Sequence, residues 1–277
     1  MASKKTFRSL TSLRGVIDRV DAIEVKSDEH LFFRGHSNSK GYFIEPSIFR
    51  NEQGKKFEHI LFRELITTNP IEFQNDTTTL ERLVRMQHHS CPTRLLDITS
   101  NPLVALYYAC RRKEFHGEVI AFRVKSKQVK FYDSDTVSCI ANLAKMSIED
   151  KNNLNLIIPL EEFNNSNEAK RLLHFIREEK PYFENNINPF DLKKMVVVRP
   201  KLNNKRILAQ AGAFLLFGQV GRIDGTSVDG IDVISIVIHK GHKKRIMENL
   251  DSLNINDGSL YLDLDSYAGY LKNKFNL

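Results

Sequence analysis

The spacing of apolar residues predicts helices and strands in alternating segments of the chain. Leu80, Leu83, Val84 and Gln87 fall on one face of a predicted helix, so an amide ends an otherwise apolar stripe. Other helices are predicted at about 54–68, from Asn101-Pro102 onward, within 140–190, at about 241–253 and after Asp265. Strands are predicted at about 30–34, within 93–100, and at 117–125, 194–199, 213–218 and 231–239. Helices dominate the first half and strands the second, which indicates an α+β fold.

The chain of 277 residues is long enough for one large domain or two small ones. We expect a basic lead-in over residues 1–27 and a single domain over residues 28–272. No run of about 18 apolar residues occurs, so no membrane span and no membrane partner are predicted. Three cysteines without CxxC spacing are typical of a reduced, cytoplasmic protein rather than of a disulfide framework.

Positive charge is concentrated in two parts of the sequence. The net charge is +7, and residues 192–223 contain seven lysines and arginines but no acid. A second basic cluster, "HKGHKKR", covers residues 239–245. Such clusters attract phosphate groups of nucleotides, RNA or DNA. The alternative is a solvated surface that is merely rich in lysine.

The stretch "LFFRGHS" places a charged residue, Arg34, at the end of a predicted buried strand. Arginine suits bidentate contact with phosphate or carboxylate, and the following Gly35 allows a close backbone approach. The alternative is a structural arginine that pairs with a carboxylate such as Asp97.

The stretch "MQHHSCPTRLLD" is denser in hydrogen-bonding side chains than a plain core requires. These side chains include Gln87, His88, Thr93, Arg94 and Asp97. They are candidates for ligand binding, and the alternative is a buried polar network that fixes the fold.

Two further kinds of chemistry are weighed for the same stretch. His88, His89 and Cys91 suggest a metal, but no second cluster completes zinc-like spacing, so no metal is predicted. A nucleophilic pair of Cys91 and His88 lacks an activating context for the thiol.

Two more positions carry polar groups beside apolar segments. Thr99 and Ser100 precede a helix N-terminus, which indicates either an anion site or ordinary capping. Gln210 and Gly212 precede an apolar strand inside the acid-free stretch, where the alternative is a simple turn.

Taken together, these motifs resemble the FRG domain family over roughly residues 28–272. The first motif is Phe33-Arg34-Gly35. The others are Gln87-His88, residues 92–97, residues 101–109, Arg206-Ile207 with residues 210–214, and a closing segment at 261–272. In motif order the family is similar to ADP-ribosyltransferases. This resemblance implies split antiparallel sheets with an N-terminal helical part, and NAD as the cofactor.

The resemblance also implies roles for the residues singled out above. Arg34 and a Thr99 or Ser100 hydroxyl would hold NAD, together with Gly35, Gln87, His88, Thr93, Arg94 and Asp97. Arg34, His88 and Gln210 would form the catalytic set. The implied function is transfer of ADP-ribose to a protein or nucleic-acid target, in a bacterial toxin or phage-defence effector.

One departure from the transferase pattern bears on catalysis. The Glu expected before a late apolar strand is missing, because no acid occurs over residues 192–223. Gln210 can hydrogen-bond a ribose hydroxyl but cannot act as a carboxylate. Either His88 or Asp97 takes that role, or the protein is a module that binds a nucleotide or nucleic acid without turnover.

Overall fold

One sheet of eight strands organises the described part of the chain. The computed structural model describes residues 9–202, 204–224, 227–262 and 264–275. The strands are β1 (Glu29–His36), β2 (Leu95–Thr99), β3 (Gly117–Lys125), β4 (Val129–Phe131), β5 (Met195–Arg199), β6 (Gly212–Phe217), β7 (Ser227–Val228) and β8 (Ile231–Ile238). The first seven helices are α1 (Leu13–Asp21), α2 (Glu52–Thr68), α3 (Pro70–Phe73), α4 (Thr79–His88), α5 (Pro102–Cys110), α6 (Asp135–Asn142) and α7 (Ile148–Asn153). The others are α8 (Leu160–Asn165), α9 (Asn167–Arg177), α10 (Pro189–Lys193), α11 (Lys205–Ala209), α12 (Lys243–Ser252), α13 (Asp257–Tyr261) and α14 (Leu264–Phe275).

The sheet consists of two four-stranded halves that meet at a narrow junction. The strand order is β4-β5-β6-β2-β1-β3-β8-β7. β1 pairs with β3 along its whole length, and β2 pairs with β6 over five residues. β1 and β2 share only one register pair, Phe33 with Thr99. The two central strands therefore separate on either side of that pair and leave a gap at the middle of the sheet.

The predicted α+β class is confirmed, while the sheet differs from the expected arrangement in two ways. Instead of two split sheets, a single sheet remains joined through the β1–β2 junction. The sheet is also mixed rather than wholly antiparallel, because β4 and β5 run parallel. β4 and β5 are linked through the helical segment of residues 135–193, which is long enough for such a crossover.

Local capping signals set the start of the helices that flank the junction. Thr78 and Glu81 form a reciprocal capping box at the start of α4. At α5 the Asn101 side chain accepts a hydrogen bond from the Leu103 amide, and Pro102 occupies the first turn, as predicted. These signals fix the first residue of α4, which precedes β2 in the chain, and of α5, which follows it.

Helix α5 packs directly on β1 and is the main support of that strand. Its residues 104–107, 109 and 110 are all buried. A Cβ built on Gly35 would lie 2.0 Å from the Ala105 oxygen and 2.6 Å from the Ala109 nitrogen. The glycine is therefore required for this helix to reach the strand.

Segments at both ends of the domain join the core around α5. Val16 of α1 is buried in the same apolar cluster as Val104, and the Leu10 amide donates to the Val237 oxygen. In the middle region, residues of α6, α8, α9 and α10 belong to a separate apolar cluster around Leu172. None of the described helices is both long and apolar enough to cross a membrane.

Candidate functional site

The gap at the β1–β2 junction forms a cleft of about 140 Å³. β1 and β2 form two of its walls, and α5 forms a third. The fourth wall is formed by α11 and by Gln210, the residue that follows this helix. The polar side chains that line it are Arg34, Asp97, Thr99, Tyr108, Arg206 and Gln210. The cleft therefore combines two guanidinium groups with one carboxylate.

Arg34 lies in the cleft but does not pair with the Asp97 carboxylate. Its Nη1 donates to the main-chain oxygen of Asp97 at 2.6 Å, and its Nε donates to His36 Nε2 at 3.2 Å. Burial lowers the pKa of Arg34, and the nearby Asp97 charge partly offsets this. Nη2 makes no hydrogen bond to a described residue. One edge of the guanidinium thus remains available to a ligand.

Asp97 is held in place by a partly buried chain of side-chain hydrogen bonds. Gln87 Nε2 donates to Asp97 Oδ2 at 2.9 Å, and Thr93 Oγ1 donates to Gln87 Oε1 at 2.7 Å. Gln87 and Thr93 do not line the cleft themselves. The amide at the end of the α4 apolar face thus finds its partners. It also positions Asp97, which is the one carboxylate among the described residues that line the cleft.

Three other predicted residues serve mainly to join chain segments. Thr99 Oγ1 donates to the Gln210 oxygen at 2.6 Å and accepts from the Asn101 amide at 2.9 Å. The exposed Ser100 contacts the Ala211 oxygen at 3.4 Å and does not line the cleft. Gln210 lines the cleft, yet its Nε2 donates to the Leu260 oxygen at 3.0 Å. These contacts link β2, the end of α11 and α13.

His88 lies outside the cleft lining, next to Asn204, the residue that precedes α11. Asn204 Nδ2 donates to His88 Nδ1 at 2.9 Å, and the ring contacts Phe214. Burial, with the Arg206 charge, lowers the pKa of His88 to about 4. The imidazole is therefore neutral at pH 7, and its Nδ1 is already engaged by Asn204.

The neighbouring candidates for metal binding and nucleophilic chemistry are not assembled into a site. His89 is exposed, and burial raises the pKa of the half-buried Cys91 thiol. In residues 9–202, 204–224, 227–262 and 264–275, no group of three or more His, Cys, Asp or Glu side chains is placed to hold a metal ion.

Arg94 is located away from the cleft, in a buried ion cluster. Its Nε and Nη2 donate to both oxygens of Glu58, at 2.8 and 2.6 Å, and Nη1 donates to the Phe217 oxygen. Lys151 Nζ donates to the same carboxylate at 2.8 Å. Burial alone would raise the pKa of Glu58, but Arg94 and Lys151 lower it to about 2. Each guanidinium nitrogen makes at least one hydrogen bond inside the protein, and the side chain is only 1% exposed, so Arg94 is not accessible to a ligand.

Two polar residues that line the cleft, Tyr108 and Arg206, are not among the site residues predicted from the sequence. Tyr108 of α5 has a buried hydroxyl that makes no hydrogen bond to a described residue, and burial, together with the nearby Tyr261, raises its pKa. Arg206 of α11 lies with its guanidinium carbon 5.0 Å from the Tyr261 ring centroid. The sequence carried a signal for each. A tyrosine in a core helix needs a polar partner, and Arg206 belongs to the third motif of the family resemblance.

The structure thus brings together half of the predicted site. Arg34, Gly35, Asp97, Thr99 and Gln210 line the cleft. Gln87 and Thr93 support it from behind, and His88, Arg94 and Ser100 lie outside it. The need for a glycine at position 35 is explained by the close packing of α5 and not by a ligand.

Comparison with known proteins supports the family expectation for one part of the chain. Residues 29–118 match the model of the FRG domain family. The match covers about a third of the chain and runs from β1 to the start of β3. It includes the cleft walls formed by β1, β2 and α5, whereas Arg206 and Gln210 lie beyond it. No curated protein and no solved structure matches the chain.

Proposed function

We propose that the cleft at the β1–β2 junction binds NAD or a related nucleotide, and that the chain is an ADP-ribosyltransferase-like enzyme. The observation that carries the proposal is the convergence of Arg34, Arg206 and Asp97 where the two halves of the sheet separate. Two guanidinium groups beside one carboxylate attract an anion such as the nucleotide diphosphate. The available Nη2 of Arg34 is the donor that such a ligand would engage.

Asp97 is the residue that we assign to the role of the missing Glu. Only its Oδ2 accepts from Gln87, which leaves Oδ1 available for a ribose hydroxyl. Gln210 carries no charge, and His88 lies outside the cleft lining. A carboxylate at this position would offset positive charge that develops on the ribose ring.

The proposed reaction is a substitution at the ribose carbon C1′ of NAD. The bond from C1′ to the nicotinamide nitrogen breaks, and nicotinamide leaves with the bonding electron pair. A nucleophile of a protein or nucleic-acid target bonds to C1′ and gives its proton to a base. Because Asp97 is the carboxylate among the described residues of the cleft, it is our candidate for that base.

The size of the cleft limits how much of the nucleotide it encloses. Sites that bury a whole drug-sized ligand typically measure about 300–1,000 Å³. A cleft of about 140 Å³ fits one end of NAD, the nicotinamide with its ribose. The diphosphate and adenosine would lie along the rim, within reach of the arginines.

The test measures binding and turnover separately in matched variants. Asp97→Asn keeps the side-chain shape, and we expect it to bind NAD in calorimetry but to release nicotinamide at least about a hundredfold more slowly. Asp133→Asn removes an exposed carboxylate and serves as the control. Arg34→Ala should lose NAD affinity. Turnover by Asp97→Asn at the parental rate would refute the assignment.

A non-catalytic nucleotide-binding module is the second candidate. It is favoured by the hydrogen bond that already engages Asp97 and by the acid-free stretch over residues 192–223. In that case the parent protein binds NAD and ADP-ribose but releases no nicotinamide from NAD with any cell extract. If the enzyme acts as a toxin or phage-defence effector, its expression should arrest bacterial growth, and Arg34→Ala should relieve the arrest.

A further inference from the structure

Three chain segments form one basic surface beyond the end of β1. The segments are residues 37–43, 112–116 and 239–245. The buried Lys243 joins them, because its Nζ donates to the Ser37 oxygen at 2.9 Å and to the Arg112 oxygen at 2.7 Å. The Ser39 amide donates to the His116 oxygen at 2.9 Å. We call the exposed face of these segments the basic surface.

The basic surface carries a large positive charge. Its three segments contain seven lysines and arginines and one acid, Glu114, which gives +6 against +7 for the whole chain. Six of the cations are exposed: Lys40, Arg112, Lys113, Lys240, Lys244 and Arg245. Only Arg112 approaches a carboxylate of a described residue, Glu114, and it does so at 4.0 Å. The charge of this surface is therefore not neutralised by neighbouring side chains.

Two of the exposed aromatic rings in these segments lie against Arg112. Tyr42 and Phe115 are each 38% exposed. The Arg112 guanidinium carbon lies 4.8 Å from the Phe115 ring centroid, and Arg112 Nη1 donates to the Tyr42 hydroxyl at 3.3 Å. Flat rings and guanidinium planes side by side form the kind of platform on which nucleic-acid bases stack.

The start of α12 adds to the positive potential of the surface. Lys243, Lys244 and Arg245 occupy its first turn, and no side chain caps it. Basic residues at a helix N-terminus are unfavourable, because the helix dipole is positive there. A phosphate group bound at this surface would offset that repulsion.

The basic surface borders the cleft through a short chain of contacts. Tyr42 contacts the edge of the His36 ring, with centroids 5.7 Å apart. His36 Nε2 in turn accepts the hydrogen bond from Arg34. A strand of nucleic acid on the surface would thus pass close to the Arg34 end of the cleft.

We propose that the basic surface binds single-stranded nucleic acid. Phosphates contact the six exposed cations, and bases stack on Tyr42 and Phe115. This binding goes beyond the function proposed for the cleft and does not depend on it. A protein that binds the strand but never uses NAD would refute the cleft proposal and leave this one intact.

The experiment uses the full chain and fluorescence anisotropy with labelled 12-nucleotide RNA, 12-nucleotide DNA and a DNA duplex, over a series of salt concentrations. The triple variant Lys240→Glu, Lys244→Glu, Arg245→Glu tests the phosphate contacts. Loss of three contacts should lower the slope of log affinity against log salt by about 2. The double variant Tyr42→Ala, Phe115→Ala should weaken binding to single strands by about tenfold or more, with little effect on the duplex.

The matched control reverses three charges in the other basic part of the chain. Lys193→Glu, Arg199→Glu, Lys205→Glu changes the net charge equally, and these residues lie in or next to β5, α10 and α11. It should retain most of the affinity. Three results would overturn the proposal. The first is an equal loss of affinity in both triple variants, and the second is no binding of either single strand by the parent protein. The third is full binding by the Tyr42→Ala, Phe115→Ala variant with an unchanged circular dichroism melt.

Discussion

A methyl group added at Gly35 should destabilise the whole domain rather than only the cleft. In Gly35→Ala the new Cβ would lie 2.0 Å from the Ala105 oxygen and 2.6 Å from the Ala109 nitrogen. Both are backbone atoms of α5, so no side chain can rotate away. The helix must shift from β1 by about 1 Å or more to restore van der Waals contact. Such overpacking costs about 3 kcal/mol, because the tightly packed core around α5 moves with the helix.

The assay is urea unfolding, supported by thermal melting. For a chain of this length, a loss of about 3 kcal/mol lowers Tm by about 5 °C. The control is Gly269→Ala in α14, where no atom lies within 4 Å of the added Cβ. That variant should keep or gain stability, by up to about 1 kcal/mol, since alanine favours helix more than glycine does.

The contrary result would reassign the role of Gly35. If Gly35→Ala keeps its stability to within about 0.5 kcal/mol and loses only nucleotide affinity, the glycine makes room for a ligand and not for α5. If both properties fall together, nucleotide affinity should be measured well below Tm, where the folded fraction of Gly35→Ala is nearly complete.

Two further predictions concern buried titratable groups. Glu58→Gln leaves Arg94 and Lys151 as buried cations without a carboxylate, and should lower the free energy of unfolding in urea by about 3–5 kcal/mol. A loss no larger than that of an exposed Glu→Gln control would contradict this prediction. The folded pKa of Glu58, about 2, lies below its unfolded value, so its contribution is fully present above pH 4.5 and is lost as pH falls toward 2. For His88, with a folded pKa of about 4 against 6.5 unfolded, the unfolded chain takes up the proton first, so stability falls as pH drops from 6.5 to 4. His88→Asn should flatten the pH profile of unfolding in that window, and a profile parallel to that of the parent would show that another group titrates there.

Local signals predicted most of the elements but not their arrangement. The β3 strand follows the predicted bounds of 117–125, and α5 begins where Asn101 and Pro102 predict. The short edge strands β4 and β7 were not predicted, because two or three residues are too few for an alternating pattern to register. The strand order and the single β1–β2 pair depend on contacts between distant segments, which apolar periodicity does not encode.

The same signal, a charged residue inside an apolar run, identified both Arg34 and Arg94. It predicts that the side chain must find partners, but it cannot say whether those partners are structural or are supplied by a ligand. The partners depend on strand register: Phe33 opposite Thr99 places Arg34 near the main-chain oxygen of Asp97. Arg94 instead reaches Glu58, a residue of α2 that no motif connected to it.

The contrast between these two arginines is the strongest physical argument for a ligand in the cleft. Arg94 has a bidentate carboxylate partner, and each of its guanidinium nitrogens is hydrogen-bonded, so its charge is compensated inside the protein. Arg34 has only a main-chain oxygen and a neutral imidazole as acceptors among the described residues, and one nitrogen remains available. Arg206 adds a second guanidinium, while Asp97 supplies one carboxylate that also serves Gln87. A half-buried cleft with this excess of positive charge is costly unless an anion completes it, which a bound nucleotide would do.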